Sequence, residues 1–140
     1  MEAPKRVILD SMIIIKHLRK KREEVALIRE LEVGSELATT TLNAFEVYYG
    51  AYKSQDIEQN LASAKGFLST LLLLTLDEES AEQAGQVLAE LESKGQTIEM
   101  RDLFIGCIAV NKGFAVLTHN KQHFERIPKL HVVTPSELKR

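Results

Sequence analysis

The chain has 140 residues, 44% of them hydrophobic and 27% charged, with a formal net charge of −2. That is the profile of an ordinary globular domain, and near-neutrality excludes a molecule that attracts nucleic acid through its overall field. The one cysteine, Cys107, excludes an internal disulfide, and no apolar run approaches the roughly 18 residues of a membrane span.

Arg6–Leu9 is a short, β-branched apolar run that ends at Asp10, which predicts a central parallel strand with a carboxylate at its end. This first run is too short for a secretory leader, so a cytoplasmic protein is expected. Ser11 opens a helix over Met12–Leu18. Asp10 is either a turn acid or N-cap, or a ligand-facing residue at the carboxyl end of a sheet strand. Lys16, Arg19, Lys20 and Arg22 belong to the only basic run, Lys16–Arg22, either a solvated helix end or a local contact for RNA phosphates. An amphipathic helix over Glu23–Glu32 follows, stopped by Gly34.

Leu37–Thr40 predicts a second strand, with Thr40, Thr41 or Asn43 capping a helix over Leu42–Lys53. Glu46 stands in that helix among Phe45, Val47, Tyr48 and Tyr49. It is either half of a variant capping box with Asn43 or a functional carboxylate, because an acid among bulky apolar side chains is costly to bury without a partner. A helix over Asp56–Leu68, a strand within Leu71–Leu76 and a helix over Ser80–Lys94 come next, the last stopped by Gly95.

Leu103, Phe104, Ile105, Cys107, Ile108 and Val110 predict a largely buried helix, with Asp102 at its start and Gly113 just past its end. Cys107 there reads as a small buried hydrophobe. Phe114–Leu117 predicts a buried strand, and Thr118-His119-Asn120 lie at its carboxyl end. A turn at His123–Arg126, a last strand at Val132–Val133 and a helical turn after Pro135 finish the chain. Strands and helices alternate without a linker or repeat. This predicts one α/β domain over residues 1–140, with a parallel sheet of about four or five strands and helices on both faces. Asp10, Glu46 and Asp102 are far apart in sequence, yet such a fold can bring all three to one sheet edge. Clustered carboxylates repel one another unless a hard divalent cation neutralises them.

Four stretches together resemble the PIN-domain ribonucleases of VapC type, the toxins of VapBC toxin–antitoxin pairs. Val7-Ile8-Leu9-Asp10-Ser11 resembles the opening strand and its Asp-Thr/Ser motif. Phe45-Glu46-Val47-Tyr48-Tyr49-Gly50-Ala51 resembles the helix in which a Glu is followed by Gly-Ala. Arg101–Ala109 resembles the helix of the third acid, and Thr118–Pro128 the segment that closes the site. The resemblance implies a metal-dependent endoribonuclease using Mg²⁺ or Mn²⁺, pairing as a homodimer and silenced by a cognate VapB-like antitoxin. Asp10, Glu46 and Asp102 would then be metal ligands, within reach of one ion, with Ser11 and Thr118 as auxiliary polar groups. Asn120 and His123 stand where relatives often carry a further Asp, and Met12 replaces a usual small polar residue. Asn120 offers a neutral amide oxygen to a metal and His123 a nitrogen. An alternative reading is a non-catalytic PIN-like module that binds RNA or protein through a degenerate site. A small-molecule-binding domain is disfavoured, because no Gly-rich phosphate loop follows any strand.

Overall fold

A computed structural model describes residues 2–138. Its strands are β1 (Arg6–Leu9), β2 (Glu36–Thr40), β3 (Leu72–Leu74), β4 (Ala115–Leu117) and β5 (Val132–Val133). They form one parallel sheet in the order β3-β2-β1-β4-β5. Its helices are α1 (Ser11–Leu18), α2 (Arg22–Gly34), α3 (Thr41–Tyr52), α4 (Ile57–Leu68), α5 (Glu78–Ser93), α6 (Met100–Lys112), α7 (Lys121–Phe124) and α8 (Pro135–Leu138).

The period-two alternation of the strands sends neighbouring residues into different layers. Val7 and Leu9 of β1, Leu117 of β4 and Val133 of β5 pack against α1, α2, α3, α4 and α8 through Ile13, Ile28, Val47, Ala64 and Leu138. Ile8, Val116 and Val132 turn the other way, onto Ile105 and Ile108 of α6 and Phe124 of α7. A third cluster seats α5 on the outer side of α6, with Leu91 and Val87 against Leu103 and Cys107. Each fully buried Ile or Leu contributes about 1.5–3 kcal/mol relative to exposure. Helices therefore cover both faces of a five-stranded sheet, as the alternating pattern predicts.

Local chemistry sets the element ends. Gly113 takes a left-handed conformation (φ 78°) that stops α6 and lets β4 begin. Gly106 matters for a different reason: a Cβ there would overlap Ile127 Cδ1, so a side chain at this position would force Ile127 to repack. Helix α5 begins two residues before the predicted Ser80, because Asp77 accepts from the Ser80 amide at 2.9 Å and caps it. The predicted turn at His123–Arg126 is partly helix, α7, whose Phe124 is buried in the core.

The chain runs outward from β1 through β2 to β3, then crosses back to β4 on the opposite side of β1. The carboxyl ends of β1 and β4 thus flank the point where the winding reverses, the place where open α/β sheets bind ligands.

Candidate active site

Asp10 follows β1 directly and is 2% exposed. Its backbone N–H donates to the Leu117 carbonyl at 3.0 Å, which ties it to the end of β4. The Thr118 hydroxyl, fully buried, donates to Asp10 Oδ2 at 2.6 Å, and the Ser11 N–H donates to Oδ1 at 2.9 Å. Asp10 is therefore the N-cap of α1 and also a carboxylate fixed at the switch point. The N-cap reading of Asp10 holds, and the capping carboxylate lies at the carboxyl end of the strand.

Helix α3 supplies two groups. Thr40 is its cap, accepting from the Asn43 amide at 3.1 Å and from the Asn43 side chain at 3.0 Å. That leaves Glu46 free of capping duty. Glu46, with its side chain 33% exposed, instead faces Arg101. From the third position of α6, Asp102 points into the same space and is 4% exposed. Its helix is entered through Glu99, so Asp102 caps nothing. Burial pushes the Asp102 carboxyl above its ordinary range, although Arg101 pulls it down.

Arg101 occupies the middle. Its Nε donates to both oxygens of Glu46 at 2.8 and 2.9 Å, and Nη1 donates to Asp102 Oδ1 at 2.8 Å. Its Nη2 lies 2.6 Å from Asp10 Oδ1, 3.1 Å from Ser11 Oγ and 3.2 Å from Asn43 Oδ1. Burial opposes the charge on Arg101, but Glu46 and Asp10 more than offset it and hold the guanidinium protonated. The sequence alone does not mark Arg101 or Asn43 as site residues. Arg101 had a signal, since a cluster of acids needs a cation and Arg101 is the immediate neighbour of one of them. Asn43, fully buried at the start of a helix, was visible only as a candidate cap.

The oxygens of Asp10, Glu46 and Asp102, backed by Ser11, Asn43 and Thr118, are the hard donors that Mg²⁺ and Mn²⁺ prefer. Three carboxylates also face a single guanidinium, so the cluster stays net negative. In chemistry the donor set fits a divalent ion. In placement it does not yet: among the described residues no three His, Cys, Asp or Glu side chains are grouped to hold one ion, and the guanidinium lies between their oxygens.

Comparison with known proteins resolves the family. The PIN domain model matches residues 7–130. The chain is 35% identical over 124 residues to the tRNA(fMet)-specific endonuclease VapC of Salmonella typhimurium, covering 89% of this chain and 93% of the relative. It is 31% identical over 119 residues to Ribonuclease VapC2 of Haemophilus influenzae, covering 85% and 89%. This chain is a PIN-domain protein of the VapC family. Its fold superposes on the DNA-bound VapBC structure of Salmonella typhimurium with a TM-score of 0.82 at 32% identity, covering 94% of this chain and 99% of that one. The VapBC2 structure of Rickettsia felis, bound to a fragment of its promoter, gives 0.82 at 26% identity, covering 92% and 98%.

The remaining VapC-type positions lie around this core. His123 Nδ1 is 3.7 Å from Asp102 Oδ2, with its side chain 59% exposed, at the edge of a cleft shared with Glu99, Gln122 and Arg126. Asn120 is exposed; its backbone N–H donates to Thr118 Oγ1 at 3.0 Å, and its side-chain amide makes no hydrogen bond to the three acids. The basic run forms the turn between α1 and α2, with Arg19, Lys20 and Arg22 exposed and Lys16 half-buried. Helix α1 is eight residues long, which sets that turn about 12 Å from Asp10. Cys107 is fully buried and its thiol is pushed up to about 11 by burial, so it is packing rather than chemistry. No helix among the described residues is long and apolar enough to cross a membrane.

Proposed function

We propose that this VapC-family protein is the endoribonuclease toxin of a VapBC-type pair, hydrolysing RNA phosphodiester bonds with Mg²⁺ or Mn²⁺ held by Asp10, Glu46 and Asp102. The observation that carries the reading is that one acid after a strand and two from separate helices all contact one guanidinium, that of Arg101, at the sheet's switch point. When bound, the metal would supply Lewis acidity, lowering the pKa of a bound water and stabilising the departing oxygen. Thr118 holds Asp10 in a single orientation, Asn43 and Ser11 offer neutral oxygens beside it, and His123 stands on the cleft side of Asp102. An RNA strand in that cleft would bring its phosphate to the acids. The exposed lysines and arginines of the α1–α2 turn would hold a neighbouring phosphate.

A VapB antitoxin is the expected protein partner, since the Salmonella and Rickettsia structures named above are VapBC assemblies. The exposed aromatic ridge of Phe45, Tyr49 and Tyr52 beside Leu73 offers an apolar surface for such pairing or for a homodimer. Action in the cytoplasm follows from an RNA substrate.

RNA incubated with the protein should be cut with Mn²⁺ present and left whole with a chelator. Asp10→Asn and Asp102→Asn should each abolish cutting, and initiator tRNA is the first substrate to try because the Salmonella relative is named for it. RNA bound but never cut, with or without metal, would favour the non-catalytic module instead.

A further inference from the structure

We infer that Arg101 is an internal rival of the metal: its guanidinium occupies the cation position of the acid cluster and must withdraw before a divalent ion can bind. The inference rests on the assignment of Asp10, Glu46 and Asp102 as the metal-binding acids.

The contacts define the competition. One guanidinium takes Asp10 Oδ1 at 2.6 Å, Asp102 Oδ1 at 2.8 Å and both Glu46 oxygens at 2.8 and 2.9 Å. It also takes the neutral oxygens of Ser11 and Asn43. These are the oxygens an ion would use. A divalent ion needs its ligands at about 2.0–2.6 Å, in a shell narrower than the fork of a guanidinium. The two cations cannot share the oxygens, and their charges repel at that range.

Burial explains why the position is filled. Asp10 and Asp102 are almost wholly enclosed, and enclosed carboxylates facing one another are costly unless a positive charge lies between them. Arg101 supplies that charge from the polypeptide itself. Its side chain is 27% exposed and springs from the second position of α6, beside the cleft that opens past Asp102. It is thus more open to solvent than Asp10 or Asp102. Metal binding becomes an exchange of one cation for another, and the affinity measured is that of the ion less the hold of Arg101. The consequence for the enzyme is a raised metal threshold for activity. Arg101 acts here as a positioning residue: it engages the three acids until the ion displaces it.

The test is titration of Mn²⁺ alone into the full chain, followed by calorimetry and by loss of the free-ion electron paramagnetic resonance signal. Wild type, Arg101→Gln, Arg101→Lys and Asp10→Asn are compared. Arg101→Gln should bind Mn²⁺ at least tenfold more tightly than wild type, while its metal-free melting temperature falls. Arg101→Lys should lie between them, because one ammonium cannot reach all three acids at once. A merely structural arginine would lower the melting temperature without tightening Mn²⁺, so equal or weaker affinity in Arg101→Gln overturns the inference. If Arg101→Gln does not fold without metal, Arg101→Lys decides, and wild-type affinity in it has the same effect. Failure of the underlying assignment looks different: Mn²⁺ would bind neither wild type nor Arg101→Gln, or would bind Asp10→Asn unchanged.

Discussion

Two arginines mark the two ends of the central sheet, and they do opposite things. Arg6 begins β1 at the amino end, pairs with Glu36 at 2.9 Å with both side chains about half exposed, and lies 4.2 Å over the Phe114 ring. Arg101 stands at the carboxyl end, where Asp10 and Asp102 are nearly buried and Glu46 one-third exposed. Water already solvates the first pair, so the contact adds little. At the other end water is largely gone, and removing the cation would leave enclosed carboxylates held mainly by neutral hydrogen bonds. The stable end of this domain can spare its ion pair. The other end holds enclosed carboxylates that need a positive charge among them.

The largest effect follows from that asymmetry. Arg101→Ala should destabilise the metal-free protein by about 3 kcal/mol, the cost of breaking one side of a buried pair, reduced here by partial exposure of the arginine. Chemical denaturation in chelator measures it. A loss under about 1 kcal/mol would mean that the two ends are energetically alike.

How far the sequence foretells each end also differs. The core is written in period-two strands and in helices such as α6, where the apolar Leu103, Ile105, Cys107 and Ile108 are all buried. Asp10 was readable because a carboxylate ended a buried strand. Glu46 was ambiguous, since a helix near its start offers every acid a capping explanation, and only the Thr40–Asn43 bonds remove it. Arg101 was the harder residue, because basic residues on helices are ordinarily solvated. Its meaning depends on two acids more than fifty residues distant in the chain, Glu46 and Asp10, which only the fold brings near. Asn120 is exposed at the start of α7, and its backbone N–H donates to Thr118.

A second prediction separates the acids from one another. Burial raises the Asp102 carboxyl's pKa despite Arg101, so the folded state holds its proton to higher pH than the unfolded chain does. Stability from this group is therefore greatest below its unfolded pKa, about 4, and is lost as pH rises through the raised folded value. Asp102→Asn should flatten that decline and leave the metal-free protein at neutral pH as stable as wild type or slightly more so, although cleavage is lost. Melting curves from pH 3 to 7 check the sign. A variant clearly less stable than wild type at pH 7 would show that the Arg101 contact outweighs burial at Asp102.

His17 gives the same contrast away from the site. Its ring lies 4.4 Å from that of Phe67, its Nδ1 has no hydrogen-bond partner, and burial lowers its pKa although Glu32 opposes the shift. A lowered histidine contributes stability that is present above about pH 6.5 and lost as pH falls through the folded value. His17→Phe should remove that acid-side loss, and an unchanged melting profile between pH 5 and 7 would mean the ring already reaches water.

The smallest effect belongs to Arg6. Arg6→Ala should cost under about 1 kcal/mol, most of it from uncovering the Phe114 ring rather than from Glu36. Glu36→Ala should then cost only a few tenths, and the coupling in the double variant should be about 0.5 kcal/mol or less. Salt divides the two contributions, since 0.5 M NaCl screens an exposed ion pair but leaves the stem of Arg6 packed on the ring. The Glu36→Ala loss should vanish in salt while most of the Arg6→Ala loss persists. A coupling near 3 kcal/mol would place Arg6–Glu36 beside Arg101 in strength. The contrast between the ends would then lie in chemistry alone, not in how much each depends on its charges.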